Sequence, residues 1–521
     1  MSNETSAIAS QASGQDDVLA FLARGADTGL PMERIDTHIS VVFLAPDRVL
    51  KIKRAVRLPF LDNSTLEQRR QCCEEELAVN ARNAPAIYRR VVPITREADG
   101  FALGGNGPVI EWAVEMARFD ERRTLDHLAA AHAAPSDAAD ALAETMRASH
   151  QRAPVADGAQ WLASIGPIID RNTAKFHEQR ALAAGDVERL HELTHWHRND
   201  QFALLRRRAA TGFVRRCHGD AHLANIAMID GKPILFDAIE FDPVIATTDL
   251  LYDLAFPIMD FLHFGDPDAA NRLFNGYLQA SWRENGNALS LLPLFLSIRA
   301  AVRALVSFTK HELCPDDPAC IADAKSYLAL ALQLIAPGKP SLIAIGGRSG
   351  TGKSMLARGI AGGIAPAPGA MLLRSDLIRK ELAGVDALTR LPEAAYTRES
   401  SERVYGEMFE RARKVLAQGH SAILDAAFLT EAERAMAAEI ARAAGVDFHG
   451  VFLTAASEVR VKRIGARHGD ASDATSTVAA KQESIDVGTI GWPTVDASGT
   501  ADETRARAAQ YLPHSQGCNT Y

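Results

Sequence analysis

The chain has 521 residues, 47% of them hydrophobic, and 57 Lys and Arg against 65 Asp and Glu give a net charge of -8. That length suits two or three domains, each long enough to bury its own core, and the acidic balance argues against nucleic acid as the main partner, because polyanion binders carry a basic excess or stripe. No run of about 18 apolar residues argues for a membrane span; the most apolar stretch, Leu291 to Val306, carries Arg299 and Arg303 and fits a buried helix.

Met1 to Gln15 is rich in Ser, Ala and Gln, without a basic start or an apolar block, and reads as a disordered tail rather than a signal peptide. Six cysteines in so long a chain, with Cys72 beside Cys73 and Cys314 and Cys320 flanking a Pro-Asp-Asp-Pro loop, make no disulfide framework. The cytoplasm is the expected compartment. Ile39 to Leu44 and Arg48 to Ile52 are strand-like runs joined by a turn at Ala45-Pro46-Asp47, and period two puts Lys51 and Lys53 on one face. Lys51, inside the apolar run, is the candidate for holding the α- and β-phosphates of a nucleotide.

Farther along, His191, His195 and His197 sit at spacings of four and two on a predicted helix. No cysteine or acidic ligand in the pattern completes a metal set, so they read as surface histidines and no zinc is assigned. Arg206-Arg207-Arg208 reads as a solvated helix face, and Cys217 as core. His218-Gly219-Asp220 follows, with Asn225 five positions after the aspartate, and the strand-like run Ile234 to Phe236 delivers Asp237. In kinase chemistry one aspartate receives or orients the acceptor hydroxyl, while an asparagine five residues on and an aspartate on the next hairpin bind the metal ions that bridge the phosphates. Asp220 matches the first role, Asn225 and Asp237 the other two.

With glycine in place of the protein-kinase arginine, this block resembles aminoglycoside-phosphotransferase and choline-kinase-type enzymes, over roughly residues 35 to 310. The resemblance implies a bilobal protein-kinase-like fold in which Glu76, among Glu74, Glu75 and Glu76, pairs with Lys51. It also implies that Glu111 to Met116 is the hinge for adenine, and that Asp249 to Leu254, through Tyr252-Asp253-Leu254-Ala255, carries the aspartate bracing the catalytic loop. The sequence departs from the pattern in one place, since Ala45-Pro46-Asp47-Arg48 stands where a glycine-rich loop is expected.

Helical patterns from Leu291 to Thr309 and Ile321 to Ile335 close the first domain, and Ala336-Pro337-Gly338-Lys339-Pro340 breaks the chain. Ser341 to Ile345 then reads as a buried strand running into Gly347-Arg348-Ser349-Gly350-Thr351-Gly352-Lys353-Ser354, with a helical pattern after it. Glycines 347, 350 and 352 let backbone N–H groups, those of Ser349 and Thr351 among them, close around phosphate oxygens. Lys353 reaches the β- and γ-phosphates and Ser354 offers a hydroxyl to Mg²⁺. Two more strand ends deliver aspartates: Ala370 to Leu373 leads into Arg374-Ser375-Asp376, and Ala422 to Leu424 into Asp425. Asp376 is the candidate acceptor of a substrate hydroxyl proton, or else a helix cap, and Asp425 the candidate Mg²⁺ holder. Val451 to Leu453 reads as another strand before a helix with Arg460, Arg463 and Arg467 near one face, placed to close over phosphates as a lid.

This segment, about 340 to 500, resembles the small P-loop kinases, including gluconate-kinase-like and zeta-toxin-like enzymes that phosphorylate hydroxyls of small molecules. Ser472-Asp473-Ala474 and Gln482 are similar to motifs of its bacterial members. The whole chain resembles a bacterial fusion of an aminoglycoside-phosphotransferase-like domain with an ATP-binding one. The expected organisation is a tail over 1–15, a mixed α/β and α+β kinase-like domain over 16–336, a linker at 337–340, and a P-loop kinase domain over 341–521 whose parallel sheet is flanked by helices. The expected activity is ATP- and Mg²⁺-dependent phosphoryl transfer to the hydroxyl of a small molecule, without nucleic-acid or membrane partners. The rival reading makes the N-terminal half a non-catalytic module regulating a C-terminal P-loop ATPase or switch.

Overall fold

The computed structural model describes residues 15–25, 31–37, 39–58, 61–240, 242–313, 318–466, 471–473, 475 and 482–513. They form two compact units, one of Met1–Ile165 with Leu205–Pro257 and the other of Gly166–Leu204 with Ile258–Tyr521.

The first unit is built on an antiparallel sheet. Its strands are β1 (Glu33–Asp36), β2 (Ser40–Leu44), β3 (Arg48–Lys53), β4 (Tyr88–Glu97), β5 (Gly100–Leu103) and β6 (Val109–Ala117), in the spatial order β1-β2-β3-β6-β4-β5. Period two sorts its side chains cleanly. Val41, Phe43, Leu50 and Ile52 pack on one face against Val18 and Leu22 of the helical segment 15–23. Leu44, Val49 and Val114 pack on the other against Cys73 of helix α1 (Leu66–Asn80). Helix α1 starts at a capping box, in which Thr65 accepts from the Gln68 amide and Gln68 reaches back to Thr65. After the sheet come helix α2 (Ala138–Arg152), the short strand β7 (Val214–Arg216), the hairpin of β8 (Ile226–Ile229) with β9 (Lys232–Leu235), and β10 (Thr247–Asp249), which pairs with β7. The expected tail lies outside the described residues except for Gln15, which is buried and donates to Glu111 Oε2 at 2.9 Å and Lys53 O at 2.8 Å.

In the second unit, helices α3 (Ala159–His177, from residue 166), α4 (Ala184–Asp200) and α5 (Pro267–Ala280) precede a five-stranded parallel sheet. Strands β11 (Ser341–Gly347), β12 (Met371–Arg374), β13 (Ala422–Asp425), β14 (Asp447–Thr454) and β15 (Thr494–Asp496) are ordered β12-β13-β11-β14-β15. Helices α6 (Lys353–Ala361), α7 (Ser375–Leu382), α8 (Arg398–Ala417), α9 (Glu431–Ala444) and α10 (Ser457–Gly465) accompany them. The central strand β11 is buried along its whole length, as its unbroken apolar run requires.

Division by compactness differs from the expected break at 337–340, because the helices after residue 258 group with the parallel sheet. Helix α5 shows why. Asn275 accepts from Leu372 N at 2.7 Å and donates to Ala370 O at 3.1 Å, Gln279 donates to Leu372 O at 3.2 Å, and Asn271 donates to Pro368 O at 3.0 Å. These amides satisfy the backbone of β12, an edge strand that would otherwise expose unpaired groups. The helical segment Leu289–Glu312 is long and apolar enough to cross a membrane by composition, and 67% of its apolar window is buried within the protein.

Candidate active sites

In the second unit, β11 delivers the glycine-rich loop at the carboxyl edge of the sheet. Gly347, at φ +139°, donates its N–H to Ala427 O at 3.0 Å, and a side chain there would begin 2.5 Å from Leu453 O. Gly352, at φ +95°, caps α6 in a left-handed conformation that favours glycine. Residues 349–354 line a cavity of about 860 Å³ shared with Arg374, Asp376, Arg379, Tyr396 and Asp425. Amides converging at a helix N-terminus form an anion-binding nest.

The acidic ends of β12 and β13 meet this loop. Ser354 Oγ donates to Asp425 Oδ2 at 2.5 Å, Arg374 Nε donates to the same carboxylate oxygen at 3.3 Å, and Arg374 Nη2 reaches Ser354 Oγ at 3.4 Å. A hydroxyl and a carboxylate are the hard oxygen donors Mg²⁺ takes, so this pair fits such an ion. Lys353 Nζ donates to Arg348 O at 3.2 Å, folded over its own loop. Asp376 sits in the first turn of α7, where the N-cap is Arg374 and makes no side-chain cap bond; Asp376 bonds Ser472 instead of capping. Burial first, and then the Asp425 charge, hold the Asp376 carboxyl above the usual aspartate range, against the pull of Lys353.

The expected arginine face is only partly a lid. Arg463 donates to Ala497 O at 2.7 Å and Thr351 O at 3.5 Å, and also bonds Gly499 O, so its guanidinium braces backbone around the loop. Buried Arg460 pairs with Glu483 and donates to Ser349 O at 3.3 Å. Arg467 lies outside the described residues, as does Ala474. Three contributors were missed as contacts by sequence reasoning. Gln482 accepts the Ser349 N–H through Oε1 at 2.8 Å and the Arg348 Nε–H through its backbone O at 2.9 Å. Arg374 joins the Ser354 and Asp425 pair. Asp473 gathers Lys380 Nζ at 2.5 Å, the Leu391 amide at 3.0 Å and the Tyr396 hydroxyl at 2.5 Å.

In the first unit the pairing of Lys51 with Glu76 is present at 2.9 Å, and Lys51 also bonds Asp237 Oδ1 at 2.6 Å. Lys53 shares Glu76 at 2.6 Å and pairs with Glu240, which sequence reasoning did not single out. Burial pulls the Lys51 ammonium down, but Asp237 and Glu76 outweigh it and hold it well above the usual lysine range. Burial pushes Glu76 up, yet the two lysines bring it down to about 2.

The His-Gly-Asp turn is braced as the resemblance implies. Gly219, at φ +82°, donates its N–H to Asp253 Oδ1 at 2.9 Å, and the other oxygen of Asp253 meets His150 Nε2 at 3.1 Å. Burial lowers the pKa of His218, whose Nε2 donates to Phe236 O at 2.9 Å. Asn225 Nδ2 donates to Asp220 O at 2.9 Å and to its Oδ2 at 3.3 Å, and His222 approaches the same carboxylate at 3.4 Å. Asp237 adopts φ +58° and donates its N–H to the Tyr88 hydroxyl at 3.2 Å.

Two expectations need correction. Residues Glu111 to Met116 lie inside β6, whose backbone pairs with β3 on one side and β4 on the other, so they are not an open hinge; the strand ends at Ala117. Glu111 itself is buried against Arg69 at 2.9 Å. Ala45 to Arg48 joins the second and third strands rather than the first two, because β1 precedes them. The first hairpin joins β1 to β2, where Thr37 Oγ1 accepts the Ser40 N–H at 3.0 Å, and the sequence between those strands also contains no glycine.

Residues 65–285 match the phosphotransferase enzyme family, and residues 342–485 match an AAA domain family. Uncharacterized proteins of Mycobacterium tuberculosis and Mycobacterium bovis are 31% identical to the chain over 462 residues, covering 85% of it and 88% of their own length. The chain belongs to their family. This chain joins a kinase-like phosphotransferase domain to a P-loop kinase domain, and such domains make the protein a phosphotransferase. Among solved structures, a choline/ethanolamine kinase family protein from Mesorhizobium loti aligns over 62% of this chain and 99% of its own, at 14% identity and a TM-score of 0.35. A gluconokinase from Sinorhizobium meliloti aligns over 32% of this chain and 89% of its own, at 22% identity and a TM-score of 0.24.

Proposed function

We propose that the protein transfers the γ-phosphoryl group of ATP, with Mg²⁺, to the hydroxyl of a small molecule, and that the P-loop cavity carries this chemistry. The observation behind the proposal is that Asp376 opens on the same 860 Å³ cavity as the glycine-rich loop and the Ser354 and Asp425 pair. Bound MgATP supplies the phosphoryl donor. The amides of residues 349–353 and the Lys353 ammonium hold the phosphates, while Ser354 and Asp425 hold the metal. Asp376, its carboxylate kept basic by burial and by Asp425, accepts the acceptor's hydroxyl proton. Arg374 and Arg379 supply fixed positive charge along the cavity wall.

The first unit is assigned a second nucleotide site, with Lys51 and Glu76 on the phosphates, Asn225 and Asp237 on the metal, and Asp220 as the residue that receives the acceptor proton. A regulatory rather than catalytic role for this half is favoured by one feature, the absence of glycine from the sequence between β1 and β2. Aminoglycosides are not part of the proposal. Such polycations need an acidic cleft, and two aspartates that could line one are otherwise engaged: Asp266 caps α5 by accepting from Ala269 N at 2.9 Å, and buried Asp260 accepts from the Tyr327 hydroxyl at 3.1 Å.

Transfer of label from γ-labelled ATP to a panel of sugars, amino alcohols and aminoglycosides tests the proposal. A labelled product that disappears with Asp376→Asn supports it. ATP hydrolysis that no compound accelerates would replace it with a conformational switch.

A further inference from the structure

Helices α3 and α4 bring together four side chains that the phosphoryl-transfer reading does not use. His191 and His195 stand one turn apart on α4, with ring centroids 4.5 Å from each other. Opposite them on α3 are Asp170, whose Oδ1 lies 2.8 Å from His195 Nε2, and Thr173, whose Oγ1 lies 3.0 Å from His191 Nδ1. The surface reading of these histidines rested on the absence of an acidic ligand. The fold supplies one, because Asp170 falls directly across the helix pair. His197, the third histidine of the sequence pattern, is not in the group: it bonds the backbone of Ile335 instead.

Hydrogen bonding fixes how His191 is presented. The Thr173 hydroxyl has one proton, which it gives to Ile169 O at 3.0 Å, so toward the ring it can only accept. The ring proton therefore sits on Nδ1 and the lone pair on Nε2. A ligating histidine is commonly held in this way, its other ring N–H donated to a fixed partner that sets the tautomer.

We propose that Asp170, His191 and His195 form a site for a divalent transition metal of the zinc type, with water completing the coordination. One donor atom from each residue lies within 4.8 Å of the others. Bonds of about 2.0–2.1 Å to a tetrahedral ion would bring them closer, to about 3.4 Å. That movement is open to them, since the side chain of Asp170 is 61% exposed and that of His195 26% exposed. Two imidazoles and a carboxylate suit zinc rather than the Mg²⁺ of phosphoryl transfer, which prefers oxygen alone. The cation takes the place of the hydrogen bond now made between His195 and Asp170 and clamps α3 to α4, so binding stabilises the folded chain.

The test uses the full-length protein, stripped with a chelator and titrated calorimetrically with zinc chloride in excess Mg²⁺, beside His191→Ala, His195→Ala, Asp170→Asn and Thr173→Val. The expected result is one zinc per chain and a raised Tm, both lost in either histidine variant, with binding about 10-fold to 100-fold weaker in Thr173→Val. Circular dichroism of the metal-free variants should match the parent, which separates loss of the site from loss of the fold. The proposal is overturned if the parent binds no zinc at millimolar concentration. Binding at full stoichiometry in both histidine variants overturns it too, since the ion would then be held elsewhere.

Discussion

The two candidate sites are built from different materials. In the second unit eight consecutive residues, Gly347 to Ser354, provide amides, an ammonium and a hydroxyl on one strand-to-helix turn. In the first unit the corresponding charges come from far apart, with Lys51 on β3, Glu76 on α1 and Asp237 after β9, and they meet only because the sheet and helix pack. A backbone site is therefore written in a contiguous motif, whereas a side-chain site is assembled by tertiary structure. The side-chain site also carries a dense ionic network of its own, in which Lys51 and Lys53 contact three carboxylates.

That contrast breaks most visibly at the proposed base. Asp376→Asn should lower acceptor-dependent turnover by about 10²-fold to 10⁴-fold, the range of a lost general base, with little change in stability. The parent's turnover should fall as pH drops through the Asp376 pKa, because only the carboxylate accepts a proton. Burial and Asp425 raise that pKa, so this acid limb lies above 3.8. A limb at or below 3.8 in the kcat profile would remove Asp376 from the role.

Glu76→Ala addresses the first unit, where it leaves two buried lysines sharing fewer carboxylates. It should destabilise the fold by about 3–5 kcal/mol, read from chemical denaturation, and a cost under about 1 kcal/mol would mean the cluster is solvated. The sign with pH follows from the depressed pKa. The Glu76 contribution is complete above 4.5 and is lost as pH falls toward about 2.

The smallest effect sharpens the comparison at the loop itself. Gln482 holds the Ser349 amide with its side-chain oxygen, occupying a donor that the proposed site offers to phosphate. Gln482→Ala should free that donor and tighten ATP binding by about fivefold, corresponding to about 1 kcal/mol for one hydrogen bond. Weaker binding would show that Gln482 supports the nucleotide instead.

Much of this was legible in the sequence, for reasons specific to the residues. The apolar run before Gly347 and the alternation around Lys51 fix a buried strand and a two-faced strand, and both formed where expected. The Lys51 and Glu76 pair followed from spacing known in related kinases. Glu240 was invisible because nothing local marks it; its charge matters only once Lys53 is buried beside it. Strand β1, ERID, is exposed along its length and carries no apolar signal, so the first hairpin was placed one strand too late. Residues 111–116 read as a hinge by resemblance, while their register on both neighbours makes them the interior of the sheet. Asp170 escaped notice because helix pairing, and not sequence distance, brings it to His195.

The central claim is that the chain holds two nucleotide sites of independent construction. Calorimetric titration with a non-hydrolysable ATP analogue and Mg²⁺ tests it directly, with Lys353→Ala and Asp237→Asn alongside. The account predicts two equivalents bound per chain in the parent and one in each variant. One equivalent in the parent, lost with Lys353→Ala and untouched by Asp237→Asn, would contradict it and leave the P-loop as the single nucleotide site.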